Sequence, residues 1–149
     1  MKYTNVHFFQ FPRILWPVSY EQKYDKKTGK NTYTTDDDDK YLPYHKLSVN
    51  AKWLYVTLKE CEHRYTGKNN DADTVLFEGV KNSKGWFYAG NDKLAYLSGM
   101  SESSVRRGKK ELADAGLIIT CRVWFTNNGV KTSKWCTGFY LPPENRLKH

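Results

Sequence analysis

Apolar residues recur at Ala51, Leu54, Tyr55 and Leu58, the i, i+3, i+4, i+7 spacing that puts one buried stripe on a helix. Ser48 stands where an N-cap belongs, so the spacing predicts a helix from there to about His63. A second helical region starts at Asn91, which is placed to cap a short helix over Asp92–Leu97, and Gly99 marks a sharp turn. Ser101 then caps a longer helix reaching about Ala115, with Gly116 as its stop signal. The pattern changes to β from Leu117 to Phe125, where β-branched and aromatic residues dominate, and Asn128-Gly129 predicts a tight hairpin whose return strand covers Lys131–Leu141. Shorter apolar runs at Val75-Leu76-Phe77 and Trp86-Phe87-Tyr88 read as brief strands.

The N-terminal third is different. Val6–Val18 is aromatic and carries Pro12 and Pro17, which exclude a long helix and suggest an extended arm. Ser19–Lys40 is polar and reads as an exposed loop or hairpin turning at Asp25–Lys30. The run Asp36–Asp39 reads as a solvated loop rather than a metal site, because consecutive acids lack the spaced ligands of a cation loop. The expected organisation is one domain of class α+β: arm and loop over 1–47, a core over 48–141, and a tail over 142–149.

Within the core, Ala95, Gly99 and Val105 stand at helix-turn-helix intervals: a small residue for close approach, a glycine for the turn and a branched residue for packing. At about 100° per residue from Val105, Gly108 and Leu112 fall at roughly 300° and 340°, while Arg106, Lys110, Ser103 and Arg107 fall at roughly 100°, 140°, 160° and 200°. Cations and hydroxyls therefore collect opposite the buried stripe, as a helix that reads DNA requires. Glu111 and Asp114 lie near the helix C-terminus, which directs the N-terminal half toward phosphate. The hairpin tip adds Asn128, Lys131 and Lys134. A two-residue loop at Asn128-Gly129, continued without a bulge, pairs Cys121 with Cys136 and Arg122 with Trp135. Trp124 and Trp135 are then either core residues or a contact between two subunits.

Charge agrees with this partner class. The chain carries 24 Lys and Arg against 16 Asp and Glu, a net +8. A basic surface favours polyanions. Three cysteines without close pairs argue for a reducing, cytoplasmic setting and against a disulfide framework, and no stretch is long and apolar enough to span a membrane. His7, His45, His63 and His149 are scattered, no phosphate loop or nucleophile motif is present, and acids such as Asp71, Asp73 and Glu78 could form a nuclease site only through the fold. A non-enzymatic protein without cofactor or metal is expected.

The passage Ser103-Ser104-Val105-Arg106-Arg107, followed by Gly108, Leu112 and Gly116-Leu117-Ile118, resembles the helix-to-wing segment of winged helix-turn-helix proteins. Lys109 stands where those families commonly place a second leucine. The wider set Phe8-Phe9-Gln10-Phe11-Pro12-Arg13, Leu47–Lys52, Trp86-Phe87-Tyr88, Asn91–Leu94 and Lys109–Leu112 is similar to the N-terminal domain of RepA-type plasmid replication initiators and related phage replication proteins. The resemblance implies a winged helix with an N-terminal arm, double-stranded DNA as ligand, and host replication proteins as partners. Ser103, Ser104, Arg106, Arg107 and Lys110 are the expected contacts from the helix, and Asn128, Lys131 and Lys134 those from the wing. A transcriptional repressor and a protein-interaction module are the alternatives the same fold serves.

Overall fold

A computed structural model of the chain describes Pro12, Leu15, Tyr44 and residues 20–35, 46–66 and 74–143. Their fold is α+β, with three helices and two antiparallel sheets. The Asp36–Asp39 run and most of the Val6–Val18 lead lie outside the described residues. From that lead, Pro12 and Leu15 are buried, and Leu15 joins the main core.

Helix α1 (Val49–Tyr65) begins as its cap predicts: Ser48 Oγ accepts the Ala51 N–H at 3.1 Å. It runs two residues beyond His63. Its stripe, Ala51, Leu54, Tyr55 and Leu58, is fully buried. Helix α2 (Asn91–Ser98) starts one residue earlier than expected, because Gly90 and not Asn91 is the cap. The Leu94 N–H already donates to the Gly90 carbonyl, and the Asp92 carboxylate folds back to within 2.7 Å of where a side chain on residue 90 would begin. Gly99 ends α2 in the left-handed region, at φ 79°.

Helix α3 (Glu102–Asp114) is capped by Ser101, whose Oγ accepts the Ser104 N–H. It closes with Gly116 at φ 79°, the Leu117 N–H donating to Leu112 and the Gly116 N–H to Ala113. This pair of hydrogen bonds around a left-handed glycine is a Schellman closure, with Leu112 and Leu117 buried together beneath it. It also corrects the strand start: Leu117 and Ile118 belong to the helix end and core, and the strand begins at Ile119. The two long helices meet at Gly108, where an added Cβ would lie 2.9 Å from Leu54 Cδ2.

The larger sheet has the order β3-β5-β6-β4, formed by β3 (Val75–Phe77), β4 (Phe87–Tyr88), β5 (Ile119–Asn127) and β6 (Val130–Tyr140). Asn128 at φ 52° and Gly129 at φ 81° make the expected tight turn. The register expected beyond it fails. Thr126 opposes Lys131, but Trp124 opposes Trp135, so three residues of β6, Thr132–Lys134, face the single residue Phe125. Thr132 Oγ1 donates to the Phe125 carbonyl at 2.7 Å and accepts the Lys134 N–H at 3.2 Å, which fixes the bulge. The consequence is a two-residue shift: Cys121 pairs with Gly138, Cys136 with Val123, and Arg122 with Thr137. The cysteines share a face but sit diagonally, and all three thiols are free.

One end of the sheet, with Phe87 and Phe139 stacked at 5.5 Å, packs against the helices in the main core. The opposite face carries a smaller cluster of Val75, Phe77 and Val123, covered by Trp86, Tyr88 and Phe125. A separate two-stranded ribbon, β1 (Tyr20–Asp25) and β2 (Lys30–Thr35), realises the hairpin option for the Ser19–Lys40 segment.

Candidate nucleic-acid interface

Two faces of α3 are set by its packing against α1. Val105, Gly108 and Leu112 are buried, which turns Ser103, Arg106, Arg107 and Lys110 outward. At the N-terminus the hydroxyls form a connected group: Ser101 Oγ lies 3.2 Å from Ser103 Oγ and donates to Ser104 Oγ at 3.0 Å, and Arg107 Nη2 donates to Ser104 Oγ at 3.3 Å. Lys110 pairs with Asp114 at 3.4 Å, but both side chains are exposed, and such pairs contribute only about 0–1 kcal/mol. Polyanion contact therefore competes with it at little cost. Arg106 has no ion-pair partner among the described residues.

The hairpin supplies the second wall. Glu102, Arg106 and Lys109 from α3, with Trp135 and Thr137 from β6 and Asn91 and Asp92 from α2, line a groove of about 530 Å3. Lys109 donates to Thr137 Oγ1 at 3.1 Å and lies 6.0 Å from the Phe139 ring centre, so it spans the joint between helix and sheet. Burial, reinforced by the Arg106 charge, pushes the Lys109 ammonium below its usual range. The two cations oppose one another here, while Asp92 and Glu102 in the same groove offset their charge.

Farther out, Trp124 and Trp135 face each other across the strands, 6.2 Å between ring centres. Arg122 lies 4.8 Å from the Trp135 ring and Lys131 5.1 Å from the Trp124 ring. This cation-aromatic ladder stiffens the hairpin and holds two charges along it. The Trp pair is thus neither deep core nor bare: Trp135 is 48% exposed, and Trp124 donates through Nε1 to Glu78 at 3.4 Å. That bond gives Glu78 a structural partner, while Asp71 and Asp73 lie outside the described residues.

The expected site residues therefore fall into two groups. Ser103, Ser104, Arg106, Arg107 and Lys110 gather on one face of α3. Asn128, Lys131 and Lys134 are exposed at the far end of the hairpin, with Asn128 used to make the turn. Lys131 opposes Thr126, two residues beyond Trp124, so the bulge leaves it about 7 Å along the sheet from the Trp pair. Lys109, Arg122 and Trp135 fill the space between the two groups and were missed, because their positions depend on the bulge and the joint with α3. Among the described residues no helix is long and apolar enough to cross a membrane. The chain matches no protein-family model, no curated protein and no solved structure.

Proposed function

We propose that this chain is a double-stranded DNA-binding protein built as a winged helix-turn-helix, with α2 and α3 as the helix pair and β5–β6 as the wing. The observation that carries the reading is the cationic outer face of α3, Arg106, Arg107 and Lys110, continued through Lys109 and Arg122 toward the hairpin lysines. A helix of this width fits the major groove, and long cations beside hydroxyls suit phosphate and guanine edges. The groove between α3 and β6 presents Arg106 and Lys109 to a backbone strand, with Asp92 and Glu102 also in its lining. Glu111 and Asp114 lie at the other end of α3, and Glu102 is the acid of its first turn.

The reading extends to replication initiation of the plasmid and phage type, in which the bound chain recruits host replication proteins. Its support is the similarity of the Phe8–Arg13, Leu47–Lys52 and Asn91–Leu94 segments to those initiators. The protein acts by binding and not by catalysis. Titrating a duplex with the purified chain over a range of salt tests it, with Arg106→Ala/Arg107→Ala as the comparison.

A further inference from the structure

The ribbon β1–β2 has an unusual property for ordered structure: every residue from Tyr20 to Thr34 is exposed. Its register places Tyr20, Tyr24 and Tyr33 on one face, and they are 62%, 63% and 62% exposed. Tyr20 and Tyr33 touch edge to face at 5.9 Å, yet no ring is covered. Two-stranded ribbons are marginal in water without a surface to cover them. The ribbon is nevertheless well built at its turn. Asp25 accepts the Gly29 N–H through its carbonyl at 2.8 Å and the Lys27 N–H through its carboxylate at 2.9 Å, with Gly29 at φ 70°. That fold occupies the Asp25 carboxylate and leaves Lys26, Lys27 and Lys30 projecting around the tip.

We infer that the β1–β2 ribbon is a second DNA-binding element, which lies on duplex backbone beyond the segment gripped by α3. The inference rests on the DNA-binding reading above. Four lysines against two acids give the ribbon a net +2, and three of the lysines, Lys26, Lys27 and Lys30, flank the turn at the end away from the Asp36–Asp39 run, so the tip is complementary to phosphate and repulsive toward a second copy of itself. Tyrosine suits the same ligand, since its hydroxyl donates to phosphate oxygens while the ring covers sugar. A two-stranded ribbon also fits the major groove. Six-residue strands extend about 20 Å, which corresponds to about six base pairs of added footprint.

The test uses the full chain and a long random-sequence duplex, with affinity followed over a range of salt. Lys26→Ala/Lys27→Ala/Lys30→Ala is expected to lower the log–log salt slope by about 2.7, three contacts at 0.9 each, and to shorten the hydroxyl-radical footprint. Lys81→Ala/Lys84→Ala, in the loop before β4, leaves both unchanged. An unchanged slope and footprint in the ribbon variant, while Arg106→Ala/Arg107→Ala weakens binding, overturns this inference and leaves the α3 reading standing. The opposite pair of results removes α3 and keeps the ribbon. A dimer that Tyr20→Thr/Tyr24→Thr/Tyr33→Thr converts to monomer, with DNA binding unaltered, assigns the tyrosine face to a second copy and overturns the inference.

Discussion

The carboxylate of Glu111 on α3 accepts both the backbone N–H and the hydroxyl of Ser48, each at 2.7 Å. Ser48 is the N-cap of α1, so one acidic side chain ties the last turns of α3 to the start of the helix packed against it. The same hydroxyl accepts from Ala51, which makes Glu111 part of the cap. The acid read from sequence as a means of keeping phosphate away has a structural duty as well.

Ser48→Ala and Glu111→Ala are each expected to cost about 1 kcal/mol, the usual worth of a cap and of an exposed charge-assisted bond. Because they share one interaction, the double variant should lose less than the sum. Urea unfolding of the four proteins in a double-mutant cycle measures this, and strict additivity would show that the contact contributes nothing.

Gly138 is the point where the sheet admits no side chain. An added Cβ would sit 2.5 Å from Val123 Cγ2, 3.1 Å from Cys121 Sγ and 3.2 Å from Phe77 Cδ2. Alanine normally gains about 0.5–1 kcal/mol over glycine in a strand, but overpacking a closed cluster costs about 1–3 kcal/mol. Gly138→Ala should therefore lower the thermal midpoint. An unchanged or raised midpoint would mean that the cluster over Gly138 is loose.

Burial pushes the thiols of Cys61, Cys121 and Cys136 up to about 11 from an ordinary 9.0. A folded-state value above the unfolded one means that the folded chain holds these protons longer. The stability they contribute is complete below pH 9 and is lost as pH rises through 11. Cys61, at 1% exposure, accounts for up to about 3 kcal/mol of that loss, taking about 1.4 kcal/mol per pH unit. Unfolding midpoints measured from pH 8 to pH 11 should fall less steeply in Cys61→Ala than in the parent. Equal slopes would remove Cys61 as the source.

Lys109→Leu puts an apolar side chain at the joint between α3 and the sheet. It removes a half-buried ammonium whose desolvation holds its pKa down, and adds apolar contact at Phe139. The expected gain is roughly 1 kcal/mol, with weaker DNA binding, because one cation leaves the groove. Greater stability with unaltered affinity would place Lys109 outside the interface.

What could be read from sequence, and what could not, follows the range of the interactions. The α3 faces were legible because Val105, Gly108 and Leu112 obey a helical period, and Ser101, Gly116 and Asn128-Gly129 signal their own backbone states. Asn91 misled because a capping residue type stood beside a glycine over which the Asp92 carboxylate folds. The hairpin register failed three residues from a correctly placed turn. Nothing local announces that Thr132 Oγ1 will take the Phe125 carbonyl and add two residues to one strand. The groove depends on that shift, since it sets Trp135 opposite Trp124 and Thr137 within reach of Lys109. Glu111 and Ser48 are 63 residues apart, a contact that only the packing of α1 on α3 creates.

The central claim is that the outer face of α3 holds duplex DNA. Its most direct test is the salt dependence of duplex binding by the parent and by Arg106→Ala/Arg107→Ala, with circular dichroism confirming that both are folded. The account predicts weaker binding by the variant and a log–log slope smaller by about 1.8, two phosphate contacts at 0.9 each. A folded variant with the parent's affinity and slope would contradict it.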